Sequence, residues 1–335
     1  MQAAIYGFSG LRLTADERAF FRDADPAGYI VFQRNCESPH QLRALTDSLR
    51  ALHGRADLPV LIDQEGGRVA RMKPPAWPEF PKAKRFADLY DKAPISAIEA
   101  ARVNAQAIGL VLREVGITVN CVPVLDVRQA GGNDVIGDRA LGAEPMQVAA
   151  LGRAVIEGLR AAGVVGVVKH MPGHGRSRSD SHLELPVVDA SAEELEADIE
   201  PFRTLRHAPM GMTSHIVYTA WDAERCASLS PIVIDEIIRG RIGFEGLLLS
   251  DDIGMNALSG GFDERARGVL AAGCDVALHC SGKMDEMVAV AHGAGAITAE
   301  AGDRLARAMA SVADAGEAAA YDELAAKRDA LLAYA

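Results

Sequence analysis

Apolar residues along the chain gather into short dense runs separated by longer segments of mixed character. Eight runs stand out: AAIYGF (3–8), GYIVFQ (28–33), PVLID (59–63), ITVNCV (117–122), VVGVVKH (164–170), MGMTSHI (210–216), GLLLSD (246–251) and CDVALHC (274–280). Nearly continuous apolar cores of this length predict strands covered on both faces, as in a parallel sheet. The intervening segments repeat apolar residues at helical spacing. TADERAFFRD opens with a Thr followed three residues later by Glu, a capping box. SPHQLRALTDSLRALHG begins with Ser-Pro and ends at a glycine. ISAIEAARVNAQAIGLVLREVG, EPMQVAALGRAVIEGLRAAG, SAEELEADIEPFRTLRH and SPIVIDEIIRG follow the same logic. Helices between strands imply crossover connections, and eight such units predict an α/β fold of the (β/α)8 barrel type. A doubly wound open sheet has the same count, because counting does not prove closure. The stretch 299–335 is alanine-rich and has no strand pattern; it predicts a helical C-terminal extension to a single barrel domain over 1–335. The segment 64–94 is richer in Pro, Lys and Arg and reads as a long loop, a kind of connection that often carries function.

Composition narrows the class. The 335 residues are 49% hydrophobic and 24% charged, with a formal net charge of −11. An acidic surface argues against nucleic acid or an anionic membrane as the main partner. The five cysteines, Cys36, Cys121, Cys226, Cys274 and Cys280, are odd in number and never spaced CxxC, which suggests a reducing compartment. The N-terminal MQAAIYGFSG lacks a basic region followed by a long apolar segment, and no run is expected to reach membrane-span length. The expectation is a soluble, cytoplasmic protein.

In a (β/α)8 barrel, chemistry collects at the C-terminal strand ends. Polar residues follow the expected strands there: Gln33, Arg34 and Asn35; Asp63, Gln64 and Glu65; Asp126; Lys169 and His170; His215; Asp251 and Asp252; His279. Asp63 and Glu65, in LIDQEGGRVAR, suit a metal pair, an acid/base pair, or a sugar-binding acid beside a structural one. Gly66 and Gly67 let that chain turn close to a ligand. In LLLSDDIGM, neighbours on an extended chain point oppositely, so one acid faces the axis and the other anchors the next turn. Asp251, nearer the strand, is the candidate nucleophile. No dinucleotide fingerprint or Walker loop is present. KHMPGHGRSRSDSH (169–182) holds three of the nine histidines. His170 and His174 have a zinc-like spacing, but Pro172, Gly173 and Gly175 oppose the helix such a site needs. The PGHG backbone offers a nonspecific phosphate cradle. Asp180 and His182 can meet across Ser181, the carboxylate accepting the imidazole N–H as in a tuned acid/base.

Together KHMPGHGRSRSDSH, LIDQEGGRVAR, IGDRALG (136–142) and LLLSDDIGM resemble glycoside hydrolase family 3, and within it the single-domain bacterial β-N-acetylhexosaminidases of cell-wall recycling. Met171 stands where phenylalanine is usual, and Arg176 and Arg178 make the loop more basic, which bears on substrate preference or loop mobility. The resemblance implies a (β/α)8 barrel that removes terminal N-acetylglucosamine from β-linked muropeptide fragments without metal or organic cofactor. It implies Asp251 as nucleophile and His182 as acid/base, oriented by Asp180, on a mobile loop. It implies that Asp63, Arg71, Arg139, Lys169 and His170 hold the sugar and that His174 is mainly structural. A retaining glycosidase needs a nucleophilic carboxylate and a proton donor. Histidine serves as donor because its ordinary pKa of about 6.5 already lies near neutrality. A phosphorylase on the same barrel and a non-catalytic sugar-binding barrel are the alternatives. The expected partner is a small saccharide, bound by a monomer.

Overall fold

A computed structural model of the protein describes residues 1–313 and 319–334. Among the described residues ten strands form: β1 Gln2–Tyr6, β2 Pro26–Val31, β3 Val60–Ile62, β4 Val119–Asn120, β5 Val165–Met171, β6 Val187–Val188, β7 Met210–Thr213, β8 Val217–Tyr218, β9 Leu247–Asp252 and β10 Val276–His279. Eight of them, in the order β1-β2-β3-β4-β5-β7-β9-β10, make a closed parallel barrel. The last seam pairs Ala4 with Ala277, Ile5 with Leu278 and Tyr6 with His279, which decides between barrel and open sheet. All eight expected runs are barrel strands.

The strands are apolar on both faces because both are covered. Ile5, Leu61, Val165, Val167, Leu247, Leu249, Val276 and Leu278 fill the barrel interior. Their neighbours Ala4, Tyr6, Val60, Ile62, Leu248 and Ala277 pack outward against the helices. This two-residue alternation sets which side chains point to the axis. Leu305 and Ala308 of the helix Ala299–Ala310 join the interior cluster, so this part of the tail helps close the barrel. The helix Tyr321–Leu332 lies on Pro94–Glu114, where Lys327 Nζ reaches Glu99 and Arg328 reaches Asn104 at 3.4 Å. Residues 314–318 and 335 of the expected tail lie outside the described residues.

Local signals act as expected. Thr14 and Glu17 close a capping box, with Glu17 N–H on Thr14 Oγ1 at 3.1 Å and Thr14 N–H on Glu17 Oε2 at 2.8 Å. Ser38 caps the helix Pro39–His53, which ends at Gly54 with φ 63°. Three features differ from expectation. The strands β6 and β8 pair outside the barrel; two residues each are too few to show a period. Val233–Arg241 is a π-type helix, whose wider hydrogen-bond step leaves much the same apolar pattern as an α-helix. Pro94–Glu114 is, by length and composition, apolar enough to cross a bilayer, against the expectation of no such run. Within the fold, 61% of its most apolar window is buried against the protein.

Candidate active site

The C-terminal strand ends surround a cavity of about 300 Å³. Its lining unites all eight expected site residues: Asp63, Arg71, Arg139, Lys169, His170, Asp180, His182 and Asp251. Alternation brings three of them in. Asp63 continues the inward face of Leu61, Lys169 that of Val165 and Val167, and Asp251 that of Leu247 and Leu249.

Asp63 and Lys169 belong to a network of two acids and three cations. Lys169 Nζ donates to Asp63 Oδ1 at 2.8 Å and lies 2.9 Å from Glu65 Oε1. Arg71 donates to Asp63 Oδ2 at 3.1 Å, and its guanidinium lies over the Phe32 ring. Arg139 grips Glu65 with both arms of its fork, Nε on Oε2 at 2.8 Å and Nη2 on Oε1 at 2.7 Å. Burial alone would raise both carboxyls, but Lys169 leads the cations that outweigh it. Asp63 is held far below its usual range, and Glu65, with Arg139 also acting, is brought down to about 2. Burial likewise opposes the charge on Lys169, yet Asp63 and Glu65 hold it above its ordinary value. Of the readings open for the two acids, this geometry favours a cavity-lining Asp63 beside a supporting Glu65. Both carboxylates are occupied by cations, which leaves no metal pair. The loop is shaped for this: Gly66 has φ 99°, and a Cβ there would collide with the Pro81 carbonyl. Gln64 pins it, exchanging bonds with Asn120 at 3.0 Å and accepting the N–H groups of Arg71 and Met72.

Behind His170 lies Asp126, fully buried. It accepts His170 N–H at 3.1 Å, His174 N–H at 2.7 Å and faces His170 Nδ1 at 2.8 Å. Burial would raise this carboxyl; His170 above all brings it down to about 2. The Asp126 bond takes one ring nitrogen of His170 from any metal. Within PGHG, the Gly173 N–H bonds the His170 carbonyl and the His174 N–H bonds Asp126, so neither is free to cradle a phosphate. Gly175 packs so closely on Val127 that a Cβ would strike its carbonyl.

The loop then delivers Asp180 and His182. Asp180 Oδ1 accepts both the His182 N–H at 2.9 Å and the contact from Nδ1 at 2.8 Å. His182 is 59% exposed. Asn256 donates to the His182 carbonyl at 3.0 Å, and Arg176 ties the loop to Asp198. Opposite, Asp251 is buried and accepts the Asp252 N–H at 2.8 Å. Burial would raise it; His170, His215 and that N–H hold it below its usual value. Asp252 anchors the next turn as expected, accepting Gly254 N–H at 2.9 Å and Cys280 N–H at 3.1 Å.

A model of the glycosyl hydrolase family 3 N-terminal domain matches residues 4–313. The chain belongs to glycosyl hydrolase family 3. The beta-hexosaminidase of Alkalilimnicola ehrlichii is 40% identical over 280 residues, which span 82% of this chain and 79% of the relative. NagZ from Neisseria gonorrhoeae, solved in complex with N-trifluoroacetyl-D-glucosamine, superposes with a TM-score of 0.86 at 30% identity, covering 99% of this chain and 98% of that one. A family 3 β-N-acetylglucosaminidase from Paenibacillus sp. has a TM-score of 0.85 at 31% identity, covering 98% of this chain and 66% of that one.

Within this family 3 barrel, some rim residues serve elsewhere. Arg34 and Asn35 donate to the Phe8 carbonyl at 2.9 and 3.1 Å and brace the first loop. His215 faces Ser228 at 2.6 Å and the Asp252 carbonyl at 3.0 Å, behind the nucleophile candidate. His279 points away from the axis, toward Ser281 and Glu286. The supporting set is Glu65, which the sequence offers beside Asp63 without fixing its role, with Gln64, Asn120 and Asp126, which it does not mark as site residues. Position after a strand places Gln64, Glu65 and Asp126 on the rim, but only their partners reveal what they do.

Proposed function

We propose that this protein is a retaining exo-β-N-acetylglucosaminidase acting on muropeptide fragments in cell-wall recycling. It would release terminal non-reducing N-acetylglucosamine from β-1,4-linked N-acetylglucosaminyl-anhydro-N-acetylmuramic acid, with or without attached peptide. The broader activity, a glycosidase of the β-N-acetylhexosaminidase type, is carried by the family and its relatives. The observation supporting the finer reading is one cavity lined by the depressed carboxylate Asp251, the Asp180–His182 pair and the Asp63–Arg71–Lys169 grip.

In the first step, Asp251 attacks the anomeric carbon and forms a glycosyl ester as the glycosidic C–O bond breaks. Protonated His182 gives its proton to the departing oxygen, and Asp180 stabilises the imidazolium beforehand. In the second step, neutral His182 takes a proton from water, whose oxygen displaces Asp251 and restores the β configuration. Asp63 accepts from sugar hydroxyls, while Lys169, Arg71 and Arg139 donate to hydroxyls and the acetamide. No step calls for a metal or organic cofactor. The five cysteines are free, which fits a reducing cytoplasm, the compartment we assign; we take the working unit to be a monomer.

Trapping with a slow fluorinated N-acetylglucosaminide tests this directly. The label is expected on the peptide bearing Asp251, and proton NMR should show retained configuration. A label elsewhere, or an inverted product, rejects the mechanism. Phosphate-dependent release of a sugar 1-phosphate would instead establish the phosphorylase.

A further inference from the structure

Asp126 divides its work between its two oxygens. Oδ1 accepts two peptide N–H groups, from His170 at 3.1 Å and His174 at 2.7 Å. Oδ2 is left to meet His170 Nδ1 at 2.8 Å. A carboxylate has no proton to give, so the hydrogen in that last bond belongs to Nδ1. The ring then has one nitrogen, Nε2, with a free lone pair, and His170 lines the sugar cavity beside the donors Lys169 and Arg71.

We propose that Asp126 is a positioning residue that holds His170 in its Nδ1–H form, so that Nε2 accepts a hydrogen bond from a hydroxyl of the bound sugar. The ligand in this statement rests on the glucosaminidase reading above; the protonation pattern does not. Replacing Asp126 by Asn reverses the pattern with almost no change of shape. The amide oxygen must occupy the Oδ1 place, because two peptide N–H groups need an acceptor there. The amide NH₂ then faces Nδ1, which becomes the acceptor, and the ring hydrogen moves to Nε2. The available nitrogen turns from acceptor to donor, and a hydroxyl bound as a donor must reorient.

The test is ¹⁵N NMR of histidine-labelled protein at about pH 8, where imidazoles are mostly neutral, with His170→Gln used to assign the signal. Wild type should show protonated Nδ1 and bare Nε2, and Asp126→Asn the reverse. On a chromogenic N-acetyl-β-glucosaminide, Asp126→Asn should lower kcat/KM about 30-fold. Most of that loss should be in KM, since the contact is made in both ground and transition states. Circular dichroism should match wild type. Protonated Nε2 in the wild-type protein overturns the proposal, as does an unchanged pattern in a folded Asp126→Asn. A reversed pattern with unchanged KM overturns the role toward sugar. Should the variant fail to fold, the wild-type spectrum alone decides. Failure of the glucosaminidase reading is a separate result: wild-type protein without activity on the glycoside.

Discussion

Two aspartate–histidine pairs border the cavity, and their ring contacts have the same length, 2.8 Å. In the first, Asp126 is fully buried and the His170 side chain is 9% exposed. In the second, Asp180 and His182 are 28% and 59% exposed. Asp126 uses separate oxygens for the backbone and the ring; Asp180 uses Oδ1 for both. Distance therefore does not distinguish their roles, but surroundings do. The buried ring is fixed in place, which suits recognition. The exposed ring is open to solvent and to a leaving group, which suits acid/base chemistry.

Asp251 is the common reference for both pairs, and its removal should have the largest effect. Asp251→Ala is expected to lower kcat on the order of 10⁵-fold, measured on a chromogenic N-acetyl-β-glucosaminide. Activity near wild type would mean that neither pair serves this carboxylate. The next comparison uses leaving groups. His182→Ala should slow cleavage of a poorly leaving alkyl glycoside about 10³-fold and a nitrophenyl glycoside far less. His170→Ala should weaken both substrates alike, because the contact we propose for it is with the sugar common to them. If the two variants show the same pattern, the two pairs do not differ in role.

Much of this site is legible in the sequence because two local rules suffice. Alternation carries the inward face of Leu61 to Asp63, of Val167 to Lys169 and of Leu249 to Asp251, and sends Asp252 to the turn. Asp180 and His182 are two residues apart, so their meeting is a local event. The supporting contacts are not local. Glu65 to Arg139 spans 74 residues, Gln64 to Asn120 spans 56, and Asp126 to His170 spans 44. They depend on strand register and barrel closure, which alternation alone cannot supply. That is why Glu65 reads from sequence as one of several kinds of acid, while in the fold it binds the cations next to Asp63.

A smaller effect probes the single-oxygen arrangement of Asp180. In Asp180→Asn the amide oxygen can keep both contacts made by Oδ1, so the His182 ring need not change its hydrogen pattern. Only the negative charge is lost. The expected fall in kcat is roughly 10-fold, below that of a removed acid/base. A loss as large as that of His182→Ala would show that charge, rather than the geometry the amide keeps, is the main thing Asp180 supplies.

The smallest effect concerns His174, between the pairs. Its N–H bonds to Asp126, its ring lies 5.6 Å from that of His170, and it is buried. Burial lowers its pKa from the usual 6.5 to about 4; Asp126 pulls the other way and His170 adds to the fall. The folded state therefore favours the neutral ring. As pH drops below about 6.5 the unfolded chain takes up this proton first, so stability falls between about 6.5 and 4 and is unaffected by this ring above that window. The depressed carboxyls of Glu65 and Asp126 act lower. Their contribution is full above the ordinary carboxylate range of about 4 and is lost as pH falls toward about 2. Denaturant unfolding at pH 7 and pH 5 should thus show a loss of on the order of 2 kcal/mol from His174. Other buried histidines, such as His279, titrate downward too, so the wild-type slope contains their share. The difference between wild type and His174→Gln isolates this ring: the variant should lose less on going from pH 7 to pH 5. Equal losses would mean that His174 accepts its proton in the folded state as readily as in the unfolded one, and the turn joining the fixed pair to the exposed pair would then have to tolerate a buried charge.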